Sequence, residues 1–277
     1  MISIGPMGFE CQHLCKVYQT RNRPVVALQD VSFNVGEPEF VCIVGPSGCG
    51  KNTLLKLIAG LLEPTSGQIL FDTEAPGERP RSALVFQGHG LLPWMTVLDN
   101  VALGLEMRGV GRRERHDRTR AFVEKAGLAT FVHGYPHELS MGMRQRVGVA
   151  RAFVADPQML LMDEPFGSLD GQTKLVLQEE LLRVWKEHQK LVVYVTHDIE
   201  EAVLLADRVL VMSGRPGRIR EEIPIRLGRP RDLLEREQPK VTEITSHIWK
   251  ILEDEVRKNL WIPLTCPPRI GPVIMLD

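Results

Sequence analysis

The sequence GPSGCGKNT at residues 45–53 constrains the fold more than any other segment of this chain. An apolar run, FVCIV, precedes it, and a run with helical periodicity, LLKLIA, follows it. A G-x-x-x-x-G-K motif between a strand and a helix binds phosphate, because its glycines turn backbone N–H groups inward and the helix N-terminus adds partial positive charge. Lys51 supplies a cation for the outer phosphates. The segment therefore predicts an α/β chain that binds a nucleoside triphosphate.

One position departs from the usual motif. Asn52 stands where a Ser or Thr hydroxyl normally binds Mg²⁺. Its amide offers a carbonyl oxygen to the metal, but it also carries an N–H₂ group that a cation repels. We therefore predict that nucleotide binding survives and that turnover is reduced. The predicted nucleotide-binding residues of this segment are Gly45, Pro46, Ser47, Gly48, Cys49, Gly50, Lys51, Asn52 and Thr53.

Composition limits the classes of partner. The chain has 277 residues, of which 43% are hydrophobic, and its net charge of −1 provides no basic field for nucleic acid. No uninterrupted apolar stretch reaches the roughly 18 residues of a membrane span, and the N-terminus lacks the layout of a secretion signal. Five cysteines form an odd set, which fits a reducing compartment. We therefore expect the chain in the cytosol.

The periodicity of apolar residues divides the chain into layers. Alternation over 9–34 predicts an antiparallel β-layer, and helical spacing in the middle of the chain predicts an inserted helical subdomain at about 88–155. Strands and helices alternate over 158–212, which predicts a mainly parallel sheet covered on both faces. Charged and apolar residues then follow helical spacing before a Pro-rich end. We predict one domain over 1–228, and a C-terminal helix with an irregular tail over 229–277.

A phosphate-binding loop alone leaves kinases, GTPases, helicases and transport ATPases open. The sequence MLLMDEP at 159–165 narrows the choice, because it places two adjacent carboxylates at the end of an apolar strand. We predict that Asp163 binds the metal and that Glu164 orients or deprotonates a water. The fold expected from these motifs is an α/β P-loop NTPase core.

With these motifs the chain resembles the nucleotide-binding subunit of an ATP-binding cassette (ABC) transporter, from about residue 10 to residue 225. Besides the two motifs above, the resemblance rests on Gln87 after VF, LSMGMRQR at 139–146, SLD at 168–170 and THD at 196–198. It implies an ATPase that uses ATP and Mg²⁺. It also implies that Gln87 contacts both the metal and the attacking water.

The same resemblance implies roles for five further residues. His197 would clamp the γ-phosphate, Tyr18 would stack on adenine, and Asp170 would join the two halves of a dimer. Ser140 and Gly142 of one subunit would complete the phosphate site of the other. Met141 stands where the family has glycine, and its side chain hinders close backbone approach. This departure falls in the same composite site as Asn52.

The resemblance also implies partners. These are a second ATPase subunit, transmembrane permease subunits and, indirectly, an extracytoplasmic solute-binding protein, with the chain at the cytoplasmic face of the membrane. The apolar segment LLPW at 91–94 suits a helix-in-groove contact with the permease, and packing of Trp94 in the core is the alternative. The sequences FQGHGLLPW and VMSGRPGRI resemble importers of nitrate, sulfonates and taurine.

Two other functions remain open at this point. One is a regulatory subunit that binds ATP and dimerises but scarcely hydrolyses it, which would fit Asn52 and Met141. The other is a soluble ABC-type ATPase that acts on DNA or ribosomes. Such proteins usually need coiled coils, paired cassettes or a basic surface, and this near-neutral sequence has none of them.

Overall fold

A computed structural model of the protein describes residues 8–21, 23–36, 39–72, 81–86, 90–167, 169–188, 190–229, 231 and 238–260. In chain order its strands are β1 (Phe9–Tyr18), β2 (Val25–Val35), β3 (Phe40–Val44), β4 (Ser66–Phe71), β5 (Ser82–Val85), β6 (Met159–Asp163), β7 (Leu191–Val195), β8 (Arg208–Met212) and β9 (Ile219–Pro224). Its α-helices are α1 (Lys51–Ile58), α2 (Val97–Met107), α3 (Arg112–Lys125), α4 (Met141–Val154), α5 (Gly171–His188), α6 (Ile199–Leu205) and α7 (Pro239–Leu260).

The strands form two sheets. A six-stranded sheet has the order β5-β6-β7-β3-β8-β9, and its neighbouring strands are parallel except for β8 and β9. A three-stranded antiparallel sheet has the order β2-β1-β4. Every residue of β3, β6 and β7 is buried, as expected of parallel strands that are covered on both faces. The predicted α/β class, with its antiparallel layer, is confirmed.

Strand β3 shows how the two faces are covered. Phe40, Cys42 and Val44 face the core formed with α5, α6 and α7. Val41 and Ile43 face the opposite core, which contains α1 and the antiparallel sheet. Because successive side chains of a strand point to opposite faces, one short apolar run joins both cores.

The three helices α2, α3 and α4 lie between β5 and β6 in the chain and form the predicted helical subdomain. They enclose their own core of Val97, Val101, Leu105, Val123, Leu128, Leu139, Val147, Ala150 and Val154. Asn100 is fully buried within it, and its amide donates to the backbone oxygens of Leu92, Met95 and Thr96. This side chain therefore fixes the 91–96 segment. Trp94 is 70% exposed, so the alternative of core packing for Trp94 is wrong.

The predicted C-terminal helix is α7, which packs on the main core through Val241, Ile248 and Leu252. The division of the chain at residue 228 stays a prediction, and the tail from residue 261 lies outside the described residues. None of the helices in the described part of the chain is long and apolar enough to cross a membrane.

Candidate functional site

The carboxyl ends of β6, β7 and β3 lie side by side, and candidate residues follow each of them. Ligands of open α/β sheets bind outside this edge. Here the structure forms an open cavity of about 290 Å³. It is lined by Tyr18, Val25, Ala27, Ser47, Gly48, Gly50, Lys51, Asn52, Thr53, Asp163, Glu164, Val195 and Arg215. Five segments that are separate in sequence thus meet at one cavity.

The backbone of the 45–50 loop has the form that a phosphate cradle needs. Gly48 and Gly50 have positive φ values of 75° and 109°. Residues with a Cβ rarely adopt such values, whereas glycine does so readily. A Cβ at Gly50 would also lie 2.9 Å from the carbonyl oxygen of Ala27. Helix α1 starts directly after this loop, and its first turn contains no acidic residue. The N-terminus of α1 therefore presents uncompensated positive partial charge to the cavity.

Lys51 is the buried cation of the loop. The residue is only 7% exposed. Its Nζ donates hydrogen bonds to the carbonyl oxygens of Gly45 at 2.8 Å and Pro46 at 3.2 Å. These contacts hold the ammonium group inside the loop, where phosphate oxygens would be its stronger partners.

Asn52 and Asp163 face each other across the cavity floor. The Nδ2 group of Asn52 donates a hydrogen bond to Oδ2 of Asp163. Burial and the adjacent carboxylate of Glu164 raise the pKa of Asp163, against the opposing effect of two nearby lysines. The donor set fits Mg²⁺, because carboxylate and amide oxygens are hard ligands. To bind a metal ion through its oxygen, Asn52 would have to rotate its side-chain amide, because its Nδ2 group faces the Asp163 carboxylate.

The side chains of Glu164 and His197 form a second close pair at the site. Nδ1 of His197 lies 3.1 Å from Oε2 of Glu164. The backbone of Glu164 has a positive φ of 44°, and its N–H donates to the carbonyl oxygen of Val195 at 2.9 Å. This hydrogen bond ties the end of β6 to the end of β7. The structure therefore brings together two of the three predicted catalytic residues, Glu164 and His197.

A buried carboxylate, Glu201, lies behind the His197 segment. It accepts hydrogen bonds from Tyr194 Oη at 2.7 Å and from Gln178 Nε2 at 2.6 Å. Lys174 Nζ lies 3.4 Å from Oε2 of Glu201 and 2.7 Å from Oδ2 of Asp198. These ion pairs join α5 to the residue that follows His197. Lys174 thereby fixes the position of the histidine segment.

Tyr18 stands at the outer wall of the cavity. It is 37% exposed, and its hydroxyl lies 3.4 Å from Oγ1 of Thr53. Val25 and Ala27 of β2 line the wall beside it. An exposed ring beside small apolar groups suits the face of a base. The adenine contact expected of Tyr18 stays a prediction.

Comparisons with known proteins identify the family of this chain. Residues 28–167, about half of the chain, match the family model described as ABC transporter. An uncharacterized ABC transporter ATP-binding protein of Methanocaldococcus jannaschii is 46% identical over 250 residues, which cover 90% of this chain and 92% of that protein. The chain belongs to the ABC transporter ATP-binding family.

Other ABC proteins match over most of their length. The nitrate import ATP-binding protein NrtD of Synechocystis is 46% identical over 80% of this chain and 84% of its own. The taurine import ATP-binding protein TauB of Yersinia pestis is 45% identical over 73% of this chain and 80% of its own. A dimeric bacterial ABC transporter cassette has a TM-score of 0.70 and 32% identity over 79% of this chain and 100% of that one. The same cassette matches equally well in a post-hydrolysis state bound to ADP and Pi.

The ABC signature segment lies at the start of α4. Ser140 is the N-cap of this helix, where its hydroxyl accepts a hydrogen bond from the N–H of Met143 at 3.3 Å. Met141 is 43% exposed, and Gly142 is buried against Thr173. Ser140 and Gly142 are not among the described residues that line the cavity. Their expected role in a partner's site stays a prediction, as does the dimer role of Asp170, which caps α5 by accepting from the N–H of Thr173.

Sequence reasoning missed four of the lining residues, Val25, Ala27, Val195 and Arg215. Val25 and Ala27 lie on β2, Val195 ends β7, and Arg215 follows β8 within the segment VMSGRPGRI, which was noted only for its resemblance to importers. The strand order brings these residues to the cavity, and no sequence pattern assigned them a binding role. Gln87, the predicted metal and water contact, lies outside the described residues.

Proposed function

We propose that this ABC subunit binds ATP and Mg²⁺ in the cavity and hydrolyses ATP to power import of a small anion of the nitrate, sulfonate or taurine type. The observation that carries the proposal is the meeting of Lys51, Asp163 and Glu164 at one edge of the parallel sheet. The similarity to the nitrate and taurine import proteins supports the direction of transport and the class of solute.

In the proposed reaction, Tyr18 stacks on adenine and the N–H groups of residues 47–51 bind the phosphates. Glu164 accepts the proton of the attacking water, and His197 donates a hydrogen bond to the transferred γ-phosphoryl oxygens. Mg²⁺ held by Asp163 and the Asn52 amide oxygen would neutralise charge on the β- and γ-phosphates. Ser140 and Gly142 of a second copy would close the site from the opposite side.

The proposed partners are a second ATPase subunit and a permease at the cytoplasmic face of the membrane, with an extracytoplasmic solute-binding protein acting through that permease. The exposed Trp94 supports the permease contact, because its segment is held rigidly by Asn100 while its ring remains accessible. Such an aromatic side chain is a typical anchor of a protein interface. No nucleic acid is expected as a partner.

Reconstitution tests the proposal. The chain is co-expressed with candidate permeases for nitrate, sulfonates or taurine, and any complex formed is placed in proteoliposomes with the corresponding solute-binding protein. We expect ATP-dependent uptake of one small anion and none with Lys51→Ala. Uptake that is independent of ATP, or the absence of any complex with a permease, would contradict it.

Asn52 and Met141 should limit turnover. Replacing Asn52 by Ser removes the amide that bonds to Asp163 and supplies a hydroxyl ligand, so we expect phosphate release to rise about tenfold, equivalent to 1.4 kcal/mol of transition-state stabilisation. Met141→Gly should add a smaller gain. The measurement is steady-state phosphate release, with the exposed Met107→Gly as control. Equal rates in the parent and both variants would remove this explanation. No detectable turnover in any of the three would favour the regulatory alternative.

A further inference from the structure

The loop at residues 213–218, between β8 and β9, packs directly against the phosphate-binding loop. The N–H of Gly217 donates to the carbonyl oxygen of Ala27 at 2.9 Å, and the Gly217 carbonyl accepts from Gln29 at 3.0 Å. A Cβ at Gly217 would lie 2.1 Å from the carbonyl oxygen of Cys49. Only a glycine therefore permits this approach.

The same loop is closed internally and held from outside. Its Ser213 hydroxyl donates to the carbonyl oxygen of Pro216 at 3.1 Å and accepts from the N–H of Arg218 at 3.0 Å. From α7, Glu255 accepts from the buried N–H of Gly214 at 3.0 Å and pairs with Arg220 at 2.8 Å. The C-terminal helix is thus linked through one carboxylate to the loop beside the cavity.

Arg215 extends from this fixed loop to the cavity. Its side chain is exposed, it lines the cavity together with Ser47 and Gly48, and its Nη2 lies 3.3 Å from the carbonyl oxygen of Gly48. A neutral carbonyl is a weak partner for a guanidinium group, which binds phosphate oxygens through charge-assisted hydrogen bonds. The backbone around Arg215 is fixed, so little conformational entropy of the loop would be lost on binding.

We propose that Arg215 is a second cationic ligand of the bound nucleotide's phosphates, beside Lys51, and that Glu255 of α7 positions it. This inference rests on the proposed ATP site. It assigns a binding role to a residue outside the motifs, and it gives the C-terminal helix a direct connection to nucleotide affinity.

The test is equilibrium binding by calorimetry at a protein concentration at which sedimentation shows a single copy. The ligands are a non-hydrolysable ATP analogue, ADP and AMP. We expect Arg215→Ala to raise the Kd for the triphosphate about tenfold, the effect of one charge-assisted hydrogen bond, and to leave AMP binding unchanged. Arg215→Lys should retain part of the affinity. Glu255→Ala should weaken triphosphate binding less than Arg215→Ala, with the same ligand dependence.

Arg218→Ala is the matched control, because Arg218 is exposed on the same loop and does not line the cavity. Triphosphate affinity in Arg215→Ala equal to that of Arg218→Ala would overturn the inference and leave the proposed function intact. Equal losses for all three ligands in Arg215→Ala would overturn it as well, because a phosphate contact depends on the phosphates. A parent chain that binds no nucleotide would overturn both proposals.

Discussion

Replacing Glu164 with glutamine is expected to lower the rate of ATP hydrolysis by about 10²- to 10⁴-fold, the usual contribution of a general base. Glutamine keeps the size and hydrogen-bonding capacity of the side chain but cannot accept a proton from water. The Kd for ATP should stay within about threefold of the parent value, since the charge removed is not a phosphate ligand. Phosphate release and calorimetric titration measure the two quantities.

Glu200→Gln is the control for this substitution. Glu200 is exposed in the first turn of α6, and it does not line the cavity. Its rate should match that of the parent. If Glu164→Gln retained more than about a tenth of the parent rate, proton abstraction by this carboxylate would be wrong. His197, 3.1 Å away, would then be the next candidate for the base.

Replacing Lys174 with methionine is expected to lower the free energy of unfolding by about 3 kcal/mol, the lower end of the cost of breaking a buried ion pair. The lysine side chain is 15% exposed and faces Glu201, whose side chain is 4% exposed. Burial lowers the pKa of Lys174, but Glu201 and Asp198 outweigh this effect and the pKa is raised. Without the ammonium group, the carboxylate of Glu201 would be buried with hydrogen bonds but no counter-charge. Chemical denaturation measures the loss.

Two variants sharpen the second prediction. Lys125 forms an exposed ion pair with Glu187, so Lys125→Met should change stability by about 0.5 kcal/mol or less. Adding Glu201→Gln to Lys174→Met removes the unpaired charge and should restore part of the stability. A loss for Lys174→Met no greater than that for Lys125→Met would show that the buried pair contributes nothing to folding.

Local sequence was sufficient for much of the fold. The strand and helix around residues 45–53 follow from a fully apolar run, a glycine loop and helical periodicity, and these signals act over short distances. The same holds for Asp163 at the end of β6 and for the segment that follows β7. Because the strands are parallel, their carboxyl ends lie at the same edge of the sheet, so no further sequence signal is needed to bring these residues together.

The pairing of strands that are distant in the chain could not be predicted from the sequence. The short apolar segments QILF at 68–71 and ALVF at 83–86 have the same local pattern, which is typical of a strand. Nevertheless β4 joins the antiparallel sheet and β5 joins the parallel one. Strand β9 was not predicted, because its charged sequence IREEIP resembles a solvated loop. It pairs at a sheet edge, where exposed charges are tolerated. The contact of Arg215 with the phosphate loop depends on these same pairings.

The separation between the cavity and the ABC signature has a consequence for ATP hydrolysis by single subunits. A lone subunit carries the phosphate loop and Glu164, but its Ser140 and Gly142 do not line its own cavity. If the site is completed by a second copy, unassembled subunits bind ATP without hydrolysing it. Under the proposed function, ATP hydrolysis would then require the assembled pair of subunits.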